Sequence, residues 1–127
     1  MSVTDDHKEE NTCYYCGMPA SAVDHTIPRI ILESLREFKD TLQQMTRGRK
    51  LTVPCCGECN SMLGASYQRT LEERKQELKY RLRRKYKKLL AMPYWTDEQI
   101  DEFGFHLRDY IEESARQREV VEFRLRW

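Results

Sequence analysis

Two cysteine pairs, Cys13-Tyr-Tyr-Cys16 and Cys56-Gly-Glu-Cys59, restrict what this chain can fold into more than any other feature. A CxxC turn brings two sulfurs to one point, and two such turns supply the four thiolates of a tetrahedral zinc, each about 2.3 Å from the ion. Two distant pieces of chain are then clamped together. What lies between the pairs and just after them is held in fixed geometry: the dipeptide Asp24-His25, and Asn60 directly after the last cysteine.

The cysteine count favours thiolate ligation over disulfides. Five is odd, and Met1 to Glu10 are polar and acidic with no apolar run of an export signal. A redox CxxC would call for a single motif opening a helix after a strand, whereas here there are two. Cys55 is the spare. It lies a helical turn from Cys59 and could replace Cys56, but the CxxC spacing favours Cys56 as ligand. Otherwise Cys55 reads as a small buried apolar residue.

A chain of 127 residues, 39% hydrophobic and 34% charged, suits one domain with a modest core, or a small domain with a helical extension. Cores of that size are commonly stapled by a metal. No run is long enough to span a bilayer, so the chain is expected to stay in the cytoplasm where it is made. The formal net charge of +1 hides a segregation. From Arg74 to Lys88 the bases are opposed by the single acid Glu77, and from Asp97 to Glu113 the acids by the single base Arg108. The basic block is either the footprint of a polyanion or a solvated face that pairs with the acidic block, in the same chain or in a partner.

In order along the chain, residues 1–11 read as a flexible leader in which His7 is exposed. Residues 12–67 form the zinc-bound core. Gly17 supplies the positive φ that a knuckle needs, and Ala22 to Thr26 form a short strand carrying Asp24 and His25 that ends before Pro28. Ile30, Ile31, Leu35, Phe38 and Leu42 recur at helical spacing, which predicts one amphipathic helix from Arg29 to about Gln44, packed on the zinc core. A basic turn, Thr46-Arg-Gly-Arg-Lys50, precedes a second strand over Leu51 to Val53, and Asn60 opens a helix that breaks at Gly64.

Residues 68–127 form a helical extension. A basic helix is expected over about 68–91, its apolar seam being Leu71, Leu78, Leu82, Tyr86 and Leu89. Met92-Pro93 stops it. The capping box Thr96-Asp-Glu-Gln99 opens an acidic helix over about 97–114, with Ile100, Phe103, Leu107, Tyr110 and Ile111 inward. The apolar tail Val121, Phe123, Leu125, Trp127 is a strand or a frayed helix, there to join a second copy or to dock on its own domain. His106 reads as a surface or packing histidine, and most of the tyrosines as packing.

Asp24, His25 and Asn60 suit the hydrolysis of a phosphodiester. That reaction needs a base for water, and a divalent ion held by oxygen ligands that leave part of its shell open. His25 is the candidate base, being largely neutral at physiological pH with an ordinary pKa of about 6.5. Asp24 and Asn60 offer hard oxygens suited to Mg²⁺ or Mn²⁺. Neighbours on a flat strand face opposite ways, so a bend or bulge is expected at Asp24-His25.

Cys13-x-x-Cys16, Asp24-His25 and Cys56-x-x-Cys59-Asn60 together resemble the signature of the ββα-metal (HNH) endonucleases, most closely their zinc-bearing phage endonuclease VII branch. Asp24-His25-Thr-Ile-Pro28 also resembles the DHxxP stretch of ordinary HNH nucleases. The resemblance covers about residues 13–64 and implies an α+β fold, mostly α: a zinc-stapled hairpin plus helix. It implies that Cys13, Cys16, Cys56 and Cys59 hold structural zinc, Asp24 and Asn60 the catalytic Mg²⁺ or Mn²⁺, and that His25 is the general base. It further implies DNA cleavage to 5′-phosphate and 3′-hydroxyl ends, with a homodimer acting in a phage-infected host. The substrate is then a branched junction cut by shape, or the long site of a free-standing homing endonuclease.

Arg47, Arg49 and Lys50 in the basic turn and Lys79, Arg83, Arg84 and Lys87 on the basic helix are the candidate DNA contacts. The alternative is a zinc-ribbon module that binds nucleic acid or protein without cutting.

Overall fold

The computed structural model describes residues 11–127, so His7 and all but the last residue of the expected leader lie outside the described residues. Two short antiparallel strands, β1 (Ala22–His25) and β2 (Thr52–Cys55), pair one-to-one from Ala22↔Cys55 to His25↔Thr52. No bulge intervenes at Asp24-His25, contrary to expectation. The strand instead ends at His25, and the chain turns away through buried Thr26 and Ile27. The Pro54 carbonyl accepts the Tyr14 N–H at 2.9 Å, which ties the first knuckle to β2.

The connection between the strands holds two short helices, α1 (Arg29–Ser34) and α2 (Lys39–Thr46), in place of the single helix predicted over Arg29 to Gln44. Neither buries a residue, and Ile30 and Phe38 are exposed. The Ser34 hydroxyl bonds back to the Ile31 carbonyl at 2.9 Å, a local alternative to continued helix where α1 stops. The apolar spacing was helical, but the core does not extend to receive that face.

After β2, Cys56 caps α3 (Gly57–Leu63), its sulfur accepting the Cys59 N–H. The helix thus begins three residues before Asn60, where it was expected to open. Gly64 ends it at φ +48°, a conformation that favours glycine. Thr70 caps α4 (Leu71–Lys85) through the Glu73 N–H at 3.0 Å. Acids stand in its first turn and bases in its last, each beside the helix end of opposite partial charge. The predicted basic helix is divided at Tyr86, where α5 (Lys87–Leu90) follows.

The Thr96–Gln99 capping box forms as expected but opens only the short α6 (Asp97–Asp101). Gly104 separates it from α7 (Phe105–Arg126), which runs on through the apolar tail. The inner face of α7 is Ile111, Ser114, Arg118, Val121 and Arg124, whereas Leu107 and Tyr110, expected inward, are exposed. No helix among the described residues is long and apolar enough to cross a membrane.

The core gathers the two knuckles, β2, α3 and α4: Cys13, Tyr15, Cys16, Val53, Cys55, Cys59, Leu63, Leu78 and Leu82. The end of α7 returns to it, so the tail docks on its own chain. Trp127 Nε1 donates to the Tyr14 carbonyl at 3.0 Å. Gly17 is required there twice over: its φ is +76°, and a Cβ would lie 2.5 Å from the Trp127 ring.

Candidate metal centre and adjoining cavity

Cys13, Cys16, Cys56 and Cys59 converge as their spacing predicts, with all four Sγ atoms within 4.8 Å of one another. Cys16 and Cys56 approach to 3.7 Å. Sulfurs at the corners of a tetrahedron about 2.3 Å from a zinc ion stand about 3.8 Å apart, so the set fits that ion. Hydrogen bonds from Cys16 and Cys59 pull the Cys13 thiol down to about 3, within the range of a thiolate ligand. Cys55 stays outside the cluster. Burial pushes its thiol up to about 12, and its Sγ donates to the Cys56 carbonyl.

A cationic cover lies over the sulfurs. Arg124 of α7 reaches Cys59 Sγ at 3.6 Å and Cys56 Sγ at 3.9 Å, and also pairs with Glu58. Four thiolates around a divalent ion carry net negative charge, and a buried guanidinium offsets it. Burial opposes ionisation of Glu58, yet hydrogen bonds from Lys85, Tyr86 and Arg124 hold its carboxyl down to about 2.

Asp24, His25 and Asn60 line one open cavity of about 460 Å³ with Pro28, Arg29 and Gly64. The end of β1 brings the first two and α3 the third. His25 is half-buried, and the Asn60 amide makes no side-chain hydrogen bond among the described residues. Arg29 Nη2 stands 3.2 Å from His25 Nε2. A guanidinium can only donate, so in this contact Nε2 is the acceptor.

Asp24 differs from what its sequence context suggested. It is 2% exposed and grips a fully buried arginine, Arg74 of α4. Arg74 Nη2 meets Oδ1 at 2.8 Å and Nε meets Oδ2 at 2.9 Å, while the Tyr15 hydroxyl donates to Oδ2 at 2.5 Å. The remaining Arg74 hydrogens go to the Ser66 carbonyl, Gln68 Oε1 and the Gly64 carbonyl. Oδ1 receives one recorded hydrogen bond, so it keeps a lone pair. Asp24 is therefore first a buried ion-pair partner, with one acceptor position left over.

Arg74, Tyr15 and Arg29 escaped the sequence reading. Arg74 was visible in one respect: the seam of Leu71, Leu78 and Leu82 leaves an inward position near 74, and a base there requires a buried acid.

The predicted DNA contacts divide. Arg49 turns inward, donating to the Thr26, Gln68 and Arg69 carbonyls at 2.5, 3.0 and 2.7 Å, so its fork is committed to the fold. Arg47, Lys50, Lys79, Arg83, Arg84 and Lys87 make no ion pair among the described residues. The recorded pairs of the acidic block are local, Asp101 and Glu112 with Arg108 and Glu113 with Arg116, so it does not neutralise the basic one. Comparison of the chain with protein-family models, curated proteins and solved structures finds no match.

Proposed function

We propose that the chain is a metal-dependent DNA endonuclease of the ββα-metal kind, its hairpin and helix stapled by zinc. The reading rests on one observation, the cavity shared by Asp24, His25 and Asn60 beside a four-sulfur cluster. A zinc staple alone has no use for an imidazole and an unengaged amide facing one space. His25 Nε2, the acceptor of the Arg29 contact, takes the proton of the attacking water. Arg29, at its side, exchanges the imidazole for a phosphate oxygen as substrate enters.

The free lone pair of Asp24 Oδ1 and the Asn60 amide oxygen fit a hard divalent cation. When bound, Mg²⁺ or Mn²⁺ would stabilise charge on the phosphate and leaving oxygen. Two protein oxygens leave most of a six-coordinate shell to water and phosphate, and Arg74 opposes cation binding. Affinity for the ion therefore depends on substrate.

The bidentate Arg74–Asp24 pair favours a second reading, in which Asp24 is structural and the chain is a zinc-stapled module that binds without cutting. Incubation of plasmid and branched DNA with and without Mg²⁺ separates the two. Mg²⁺-dependent cuts with 5′-phosphate and 3′-hydroxyl ends, lost in His25→Ala, support the enzyme. Retarded bands without cuts support the module, and cutting retained by His25→Ala removes His25 as the base.

A further inference from the structure

A second cavity, of about 690 Å³, opens on the strand connection and is lined by Tyr14, Tyr67, Arg47, Gly48, Lys50 and Arg69, among others. Its size is that of a site for a small organic ligand, and its lining combines rings with cations. Arg47 and Lys50 are exposed and form no ion pair among the described residues, so their charge faces the opening. Tyr67 is 39% exposed, with Arg49 over its ring at 5.8 Å. Gly48 has φ +67° and nothing within 4 Å of where a Cβ would stand, so backbone is open to close approach.

The linings of this cavity and of the one that holds His25 approach each other at two places along the chain. Thr26, the residue after His25, donates its N–H to the Leu51 carbonyl at 3.0 Å and its hydroxyl to the Lys50 carbonyl at 2.6 Å. Gly64 line one cavity with Ala65, and Tyr67 and Arg69 line the other. Two peptide units separate Ala65 from Tyr67, at most about 7 Å between Cα atoms, or about two nucleotide rises of 3.4 Å.

We infer that the second cavity is a subsite for an unpaired nucleotide of a DNA strand, close to the phosphate held at His25. This rests on the nuclease reading for its place in the reaction, but its binding stands on the cavity alone. Phosphates meet Arg47, Lys50 and Arg69, and the base stacks on Tyr67. A base within a duplex has both faces covered by its neighbours and offers no face to a tyrosine.

The test is fluorescence anisotropy in a His25→Ala background with no Mg²⁺ added, using a short labelled oligothymidylate and a blunt duplex of equal length. The single strand should bind more tightly than the duplex. Tyr67→Ala should weaken single-strand binding about ten-fold, and Tyr67→Phe should leave it near the parent value. Arg47→Gln and Lys50→Gln should each flatten its salt dependence. Circular dichroism confirms that each variant is folded; Arg47 and Lys50, both exposed, give a reading independent of Tyr67.

Equal binding of the two probes, indifferent to Tyr67, Arg47 and Lys50, would overturn the subsite, as would binding of an acidic peptide but not the oligonucleotide. If Tyr67-dependent strand binding appears while the wild type never cuts DNA, the subsite stands and the nuclease falls. If the wild type cuts and Tyr67→Ala binds the single strand normally, the nuclease stands and the subsite falls.

Discussion

Replacing Arg74 by methionine tests how the two halves of the chain are joined. Methionine keeps an unbranched stem but removes the charge, leaving Asp24 with only the Tyr15 hydroxyl at 2.5 Å. The Ser66 and Gly64 carbonyls and the Gln68 side chain lose their donor as well. Breaking a buried pair by deleting one partner costs about 3–5 kcal/mol. Total stabilities of about 5–15 kcal/mol make that a large fraction of the whole. An unfolding entropy of about 2.1 cal/mol/K per residue over 127 residues gives about 0.27 kcal/mol/K, hence a fall in Tm of about 11–19 °C.

The assay is thermal and urea unfolding of zinc-loaded protein, followed by circular dichroism, for Arg74→Met, Asp24→Val and the double variant. Removing both charges from a buried pair is often close to neutral. The double variant should therefore recover most of the loss, with a coupling energy of at least about 2 kcal/mol. A loss below about 1 kcal/mol in Arg74→Met, or strictly additive single losses, would show that the pair does not hold α4 to the strand.

Three further outcomes are expected. Cys59→Ser should abolish stoichiometric zinc in metal analysis and leave the chain largely unfolded, whereas Cys55→Ser should keep zinc and cost less than about 1.5 kcal/mol. Gly17→Ala should cost about 2–4 kcal/mol in urea unfolding, from its positive φ and the Trp127 ring 2.5 Å from the new Cβ. Glu58 has a folded pKa of about 2, below its ordinary 4.5, so its contribution is complete above pH 4.5 and lost as pH falls through 2. Glu58→Gln should therefore be less stable than wild type at neutral pH, with urea midpoints that draw together over that acid interval.

The four-cysteine cluster was legible because CxxC spacing is a local constraint, and so was the Thr96–Gln99 box, complete within four residues. The two short strands, the knuckles and the Gly17 conformation were read from local residues, whereas the pairing of the strands across their long connection was implied only by the resemblance. Arg74 was not legible in full, because a base in a basic stretch reads as solvated until the acid that needs it is known, and Asp24 lies fifty residues earlier. The single helix expected over Arg29 to Gln44 failed for a related reason. Periodicity gives a helix an apolar face but does not supply a surface to cover it, and here the core ends short of Ile30 and Phe38. Likewise Leu107 and Tyr110 keep helical spacing on a part of α7 that overhangs the core.

The guanidinium that covers the sulfurs is made late. All four cysteines have been synthesised once Cys59 is added, whereas Arg124 follows 65 residues behind it. At about 5–20 residues per second, that is an interval of about 3–13 s. A metal ion held by the four cysteines in that interval would lack the Arg124 cover that α7 brings.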